Sequence, residues 1–200
     1  MNAWIAYTRP LMAAGWVAAA LVSTNAVADT ALVIDEDNSV VSFAVTKEQF
    51  VVEPAEFKRI TGGVTHGGEV EFEIDITSLF SNNDTRDRRL LEMFFETDIF
   101  PEAIVSAEID PALLTIDAPK RVSIDAVLEW YDGTVELPLD VLVVPSNDGT
   151  LVISSLSPTI IDARTFGVPA DNVEALRDVC NRIAIADEAA VNFVLTLVEP

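Results

Sequence analysis

Between Glu69 and Ile76 the chain alternates without a break: Val70, Phe72, Ile74 and Ile76 fall on one face, and Glu69, Glu71, Glu73 and Asp75 on the other. Successive side chains of a β-strand point to opposite faces, so this spacing predicts an antiparallel strand with one dry and one wet face. The same period of two groups Val41, Phe43 and Val45. It recurs in Val122, Ile124, Ala126 and Leu128, in Val135, Leu137, Leu139, Val141 and Val143, and in Val191, Phe193, Leu195 and Leu197. Gly67-Gly68, Asp132-Gly133 and Asp148-Gly149 lie between such runs and offer the positive φ that short hairpin loops need. Sequential strands therefore pair as neighbours. Pro138 interrupts one run, which predicts that its strand is at an edge or bulged there.

Two segments leave this rhythm. From Asp84 to Glu96, Leu90 and Phe94, and Leu91 and Phe95, are each four apart, the spacing of a helix face. Asp84 is placed to cap that helix and Asp87 to stabilise its first turn. From Asp171 to Asn181, Val173, Leu176 and Val179 share one face, with Asp171 as the expected cap. The fold class is all-β: about eight amphipathic antiparallel strands with one or two short helices. Such a meander escapes exposed edges by closing into a barrel, with a two-sheet sandwich as the competing architecture.

The N-terminus follows another pattern. Arg9 precedes an apolar run from Leu11 to Val22, and Ala26-Val27-Ala28 supplies small residues at the positions a signal peptidase requires. Residues 1–28 therefore read as a signal peptide cleaved before Asp29, leaving one domain over 29–200, exported to the periplasm or beyond. The apolar run is 12 residues, short of the roughly 20 that cross a bilayer, so the mature chain is expected to have no transmembrane segment. Half of the 200 residues are apolar, enough for a full core. Cys180 is the only cysteine, which excludes an internal disulfide and a cysteine metal cage.

Charge narrows the partners. Thirty-three acidic residues against 12 basic ones give a net charge of −21, and −22 once Arg9 is removed. Such a molecule repels nucleic acid and anionic membrane surfaces. The residues offer little to an enzyme. His66 is the single histidine and sits beside the Gly67-Gly68 turn, with no serine partner identifiable. There is no nucleophile elbow, phosphate loop, dinucleotide fingerprint or zinc helix. Ser81-Asn82-Asn83-Asp84 lacks the spacing and the distal glutamate of a calcium loop. No cofactor and no metal are expected.

The order of parts resembles a known family. Asp35-x-x-Asn38-Ser39-x-Val41-x-Phe43, then Phe57-x-x-Ile60-x-Gly62, then Ser78-Leu79-x-x-Asn82-Asn83-x-x-Arg86-Asp87-x-x-Leu90 running to Phe94-Phe95 and Phe100-Pro101, and finally Phe166-Gly167, are similar to the YceI-like, polyisoprenoid-binding periplasmic proteins. The stretch from Ser78 to Pro101 is the most specific part. The resemblance implies a lipocalin-like barrel whose apolar tunnel holds an isoprenoid or other lipid chain, with no chemistry performed on it. Where members often carry histidines flanking the first strand, this chain has Asn38 and Thr46, and Ala163-Arg164-Thr165 replaces an Arg-x-Asp before Phe-Gly. The later run, Gly167-Val168 through Asn172-Val173-x-Ala175-Leu176 and Ile183 to Leu197, resembles a divergent branch of the same family.

An isoprene tail has no hydrogen-bonding group, so its site is a dry channel with a few polar residues at the mouth. The expected ligand wall is Phe43, Val45, Phe72, Ile74, Leu128 and Phe193 from the strands, Leu91, Phe94 and Phe95 from the helix, and Trp130 and Phe166. The expected polar rim is Asn82, Arg86 and Arg164. For Arg86 and Asp87 two readings stand side by side: contact with a ligand head group, or anchoring of the helix start to its neighbouring loop. Alternation fixes which residues face inward without distinguishing a hollow barrel from a filled one. A filled barrel would fit an exported module that binds a protein partner or a second copy of itself.

Overall fold

The computed structural model describes residues 30–48 and 50–200. The expected leader and its cleavage point lie outside these residues. The strands are β1 (Thr30–Ile34), β2 (Val40–Lys47), β3 (Val51–Phe57), β4 (Ile60–Thr65), β5 (Glu69–Asp75), β6 (Leu79–Phe80), β7 (Glu102–Glu108), β8 (Lys120–Trp130), β9 (Gly133–Pro145), β10 (Leu151–Ser155), β11 (Thr159–Asp162) and β12 (Ile185–Val198). Helix α1 (Asp84–Arg89) precedes β7, and α2 (Ala170–Val179) precedes β12.

These segments make eight long antiparallel strands, because β1 with β2, β3 with β4, β5 with β6, and β10 with β11 are each one strand broken by a short turn. One edge of β12 pairs with β1 and β2, the other with β10 and β11. The remaining strands follow in sequence order, and Val33↔Val198 and Ile34↔Leu197 close the barrel. Sequential pairing, read from the turn signals, is therefore the topology, and the closed barrel prevails over the sandwich.

Aspartate makes several of the turns. Asp35, Asp75, Asp110 and Asp162 each accept the backbone N–H two residues on, at Asp37, Thr77, Ala112 and Arg164. This is the local bond by which aspartate competes with strand geometry. Part of the acidic excess is thus spent on bending strands. Gly62 bends β4 further: its φ is +107°, and a Cβ there would lie 2.2 Å from the Glu71 carbonyl oxygen.

Pro138 does not end its strand. The β9–β10 ladder stops at Val141↔Ser155, after which the Leu156 N–H donates to the Asp140 carbonyl. Backbone groups alternate sides along a strand, so the nitrogen of Pro138 faces the same side, where β9 has lost its neighbour. β9 is thus not an edge strand, since β8 and β10 flank it, and it carries no bulge at Pro138; Pro138 is accommodated because it falls in the stretch that β10 does not reach.

Both helices sit at the barrel end that holds Lys47, Val51 and Ile185. The cap of α1 is Asn83, whose side chain accepts the Arg86 N–H at 3.1 Å; Asp84 lies inside the helix. Asp87 instead accepts the backbone N–H of Ser81 at 3.2 Å and its hydroxyl, tying the helix to the preceding turn. Beyond Arg89 the helix widens into a π turn over Leu90–Phe94, closed by the Phe95 N–H donating to the Leu90 carbonyl at 2.8 Å. The expected helix to Glu96 is thus two kinds of helix in series. Helix α2 begins after Pro169 with no side-chain cap, so Asp171 does not cap it. The Asn172 side chain reaches across to the Glu96 carboxylate at 2.8 Å and the Phe94 carbonyl at 3.3 Å, fastening the two helices together.

Candidate functional site

The inward rows enclose a cavity of about 620 Å³ that runs along the barrel. Its walls are the alternating residues: Val41, Phe43 and Val45 of β2, Val70, Phe72 and Ile74 of β5, Ile124, Ala126 and Leu128 of β8, Leu137, Leu139 and Val141 of β9, and Val191, Phe193 and Leu195 of β12. Their outward neighbours include Glu69, Glu71 and Glu73, so the barrel is dry inside and charged outside. This is the inverse of an outer-membrane barrel, which turns an apolar band outward. Among the described residues no helix is long and apolar enough to cross a membrane.

The barrel is hollow because small side chains occupy inward positions. Ala103 and Ala107 on β7 and Ala126 on β8 all line the cavity, and Ala107 and Ala126 face each other across the ladder. Neither Ala103 nor Ala126 exposes more than 5% of its surface, so what they leave vacant is interior space. At one end Ile109, Leu113 and Leu114 close the bore. At roughly 30 Å³ per water-sized group, the volume accommodates at least about 20 carbon-sized groups.

At the helical end an aromatic cluster forms the wall. Phe43 stacks on Phe57 at 5.2 Å, and Phe95 meets Phe43, Phe57, Phe94 and Trp130 with ring centres 5.0 to 6.4 Å apart. The π turn is what delivers Phe94 and Phe95 together into the bore. Trp130 lies among these rings and against Phe166, and its indole N–H has no hydrogen-bond partner among the described residues.

The polar end lies between β2, β3, α1 and the start of β12. There the inward register of β2 continues from Val45 to Lys47, and that of β3 from Ala55 to Glu53. One Glu53 oxygen is 3.5 Å from the Lys47 ammonium, and the other pairs with the Arg86 guanidinium. Arg86 also donates to the Ser81 carbonyl at 3.5 Å, while its Nε–H is buried and has no hydrogen-bond partner among the described residues. Arg89, Asn83 and Thr85 of the α1 region line the same end, as do Cys180, Asp187 and Glu188. Burial, and secondarily the nearby Arg86 charge, hold the Lys47 ammonium below its ordinary value of 10.5.

Of the residues expected at the ligand wall, Phe43, Val45, Phe72, Ile74, Phe94, Phe95, Leu128, Trp130 and Phe193 line the cavity. Leu91 and Phe166 do not. Leu91 packs against the core cluster without lining the bore, and Phe166 is 1% exposed against Trp130. Of the expected rim, Arg86 lines the cavity. Asn82 turns the chain at φ +57° ahead of the helix, and its neighbour Asn83 takes the rim position. Arg164 lies on the exterior, paired with Asp162 at 3.0 Å and with Asp187 and Glu188 at 3.5 and 3.6 Å. Lys47, Glu53 and Arg89 went unforeseen. The signal for the first two was present: extending the β2 and β3 alternation past its apolar stretch lands on a lysine and a glutamate at inward positions. Among the described residues, no three His, Cys, Asp or Glu side chains are grouped to hold a metal.

Comparison with curated proteins gave no match. Among solved structures, the chain is similar to a polyisoprenoid binding domain from Saccharophagus degradans implicated in plant cell wall breakdown, with 25% identity and a TM-score of 0.81 over 86% of this chain and 99% of that one. It shares its fold with BcnA of Burkholderia cenocepacia, at 16% identity and a TM-score of 0.64 over 82% and 98% of the two chains. The YceI-like domain matches residues 32–197. That span runs from the closing strand β1 to the end of β12 and takes in the whole barrel, its bore and both helices, so the chain belongs to the YceI-like domain family.

Proposed function

We propose that this protein is a non-enzymatic carrier or store for a long-chain lipid of the isoprenoid type, acting in the periplasm after export. The observation that carries this reading is the 620 Å³ bore, walled along its length mainly by aliphatic and aromatic side chains, with its charged groups gathered at the helical end. An apolar tail brings no hydrogen-bonding group needing a partner, and each buried methylene contributes about 0.8 kcal/mol before binding costs. Affinity then grows with tail length, and the charged exterior keeps the loaded carrier in water. The polyisoprenoid binding of the Saccharophagus degradans domain supports the same ligand class. An exported module with a filled core is the weaker reading, since its premise of a solid interior fails at the three alanines that leave the bore open.

The test is mass spectrometry of an organic extract from natively purified protein. The expected result is a molecule with a prenyl or long alkyl tail in near-stoichiometric amount. Protein that yields no such molecule, and that takes up no prenyl alcohol when offered one, would refute the carrier function.

A further inference from the structure

We infer that the polar end of the bore is a binding site for an anionic head group, so that the ligand is a lipid ending in a phosphate or other anion and not a neutral terpenoid. This rests on the carrier function proposed above and adds the chemistry of the ligand's other end.

Three cations line this end of the cavity, Lys47, Arg86 and Arg89, on a molecule with only 12 basic residues in all. The acids beside them are Glu53, Asp187 and Glu188. Asp187 is engaged by Arg177 at 3.4 Å and Arg164 at 3.5 Å, and Glu188 by Arg164 at 3.6 Å, and neither arginine lines the cavity. That leaves Glu53 alone to balance Lys47 and Arg86, each of which pairs with one of its two oxygens. Arg89 makes no ion pair among the described residues, where the ion pairs of α1 are confined to Arg86.

The geometry thus holds an excess of positive charge where an amphipathic ligand would present its head. Arg86 adds a directional element. Two of its nitrogens are spoken for, by Glu53 and by the Ser81 carbonyl, while the Nε–H is buried from water without an acceptor. A buried guanidinium donor with no partner is uncommon, and an incoming oxyanion satisfies it. Burial lowers the Lys47 ammonium from its ordinary value, and the neighbouring Arg86 charge adds to the lowering. The acidic exterior repels free anions at a distance, but that field is screened over roughly 10 Å in 0.1 M salt and does not govern contacts inside the mouth.

The experiment compares two ligands with the same tail of about 20 carbons, matched to the cavity volume: geranylgeraniol and geranylgeranyl phosphate, titrated calorimetrically into delipidated protein. The expected result is phosphate binding about ten- to a hundredfold tighter than alcohol binding, the range of one or two charge-assisted hydrogen bonds. In Arg86→Gln and in Lys47→Met, the ratio of phosphate to alcohol affinity should fall about tenfold, whatever each change does to the tail's own binding. A far-UV circular dichroism spectrum matching the parent's shows that each variant is folded; should Arg86→Gln lose its helix anchor, Lys47→Met on strand β2 decides. Equal affinity for the two ligands, or variants that weaken both alike, would overturn the anionic site and leave the carrier function standing. Failure of both ligands to bind would remove the carrier function and this inference with it.

Discussion

Ala126→Phe distinguishes a bore that holds a chain from one that merely lacks atoms. Ala126 exposes 1% of its surface, lines the cavity, and faces Ala107 on one side and Leu137 on the other. A phenyl ring added here projects into the bore and takes the place of about six ligand carbons. At roughly 0.3 kcal/mol per heavy atom, the loss is about 2 kcal/mol, or about 20-fold in affinity. Stability gives the second reading. In a packed interior the extra ring would cost about 1 to 3 kcal/mol, and at about 2 to 4 °C per kcal/mol the melting temperature would fall by about 2 to 12 °C. In the hollow barrel the ring is buried without displacing a neighbour, so Tm holds or rises. The assay is titration with geranylgeraniol, followed by the fluorescence of Trp130 in the bore; the other two tryptophans, Trp4 and Trp16, belong to the expected leader. A folded variant that binds the alcohol as tightly as the parent would refute the reasoning, because the ligand would then not be using the bore.

Two further outcomes follow from particular residues. Gly62→Ala should lower stability by about 2 kcal/mol or more, roughly 4 to 8 °C in Tm, because its φ of +107° disfavours a side chain and its Cβ would meet the Glu71 carbonyl at 2.2 Å; an unchanged melting curve counts against the bend described for β4. Lys47 should titrate below 10.5 in the folded protein, as read by NMR of its side chain. Between that lowered value and 10.5 the folded state binds fewer protons than the unfolded one, so stability should climb as pH rises through this window, and Lys47→Met should flatten the climb. A midpoint at or above 10.5, or the same slope in the variant, would count against the burial and the Arg86 charge as its cause.

The barrel was readable because its strands obey one rule almost everywhere. Val70 to Ile76 and Val191 to Leu197 alternate so regularly that the inward face needs no tertiary information, and the Gly and Asp-Gly pairs announce how the strands turn. The helices were readable in place but not in detail. Asn83 and Asp84 are both competent caps, and which of them wins depends on the Ser81–Asp87 contacts that set the entry of the chain. The spacing of Leu90, Leu91, Phe94 and Phe95 suits an ordinary helix; widening by one residue in the π turn sends Phe94 and Phe95 into the bore and leaves Leu91 outside it. The polar end was the least readable. Lys47 and Glu53 look like two surface charges until β2 and β3 are paired, and Arg86 joins them only once α1 is folded over the mouth. Arg164, beside its Phe166-Gly167 signature, is close in sequence to buried residues yet turns outward to the carboxylates of β12.

Pro138 has a consequence beyond its own strand. Where β9 parts from β10, a row of main-chain groups is left without a second strand, the kind of rim that recruits strands from other molecules and seeds insoluble assemblies. A ring nitrogen in the middle of that rim withholds the donor that a foreign strand would seek, and the like charges of neighbouring copies keep them apart. A protein obliged to stay open inside is thereby spared from sticking together outside.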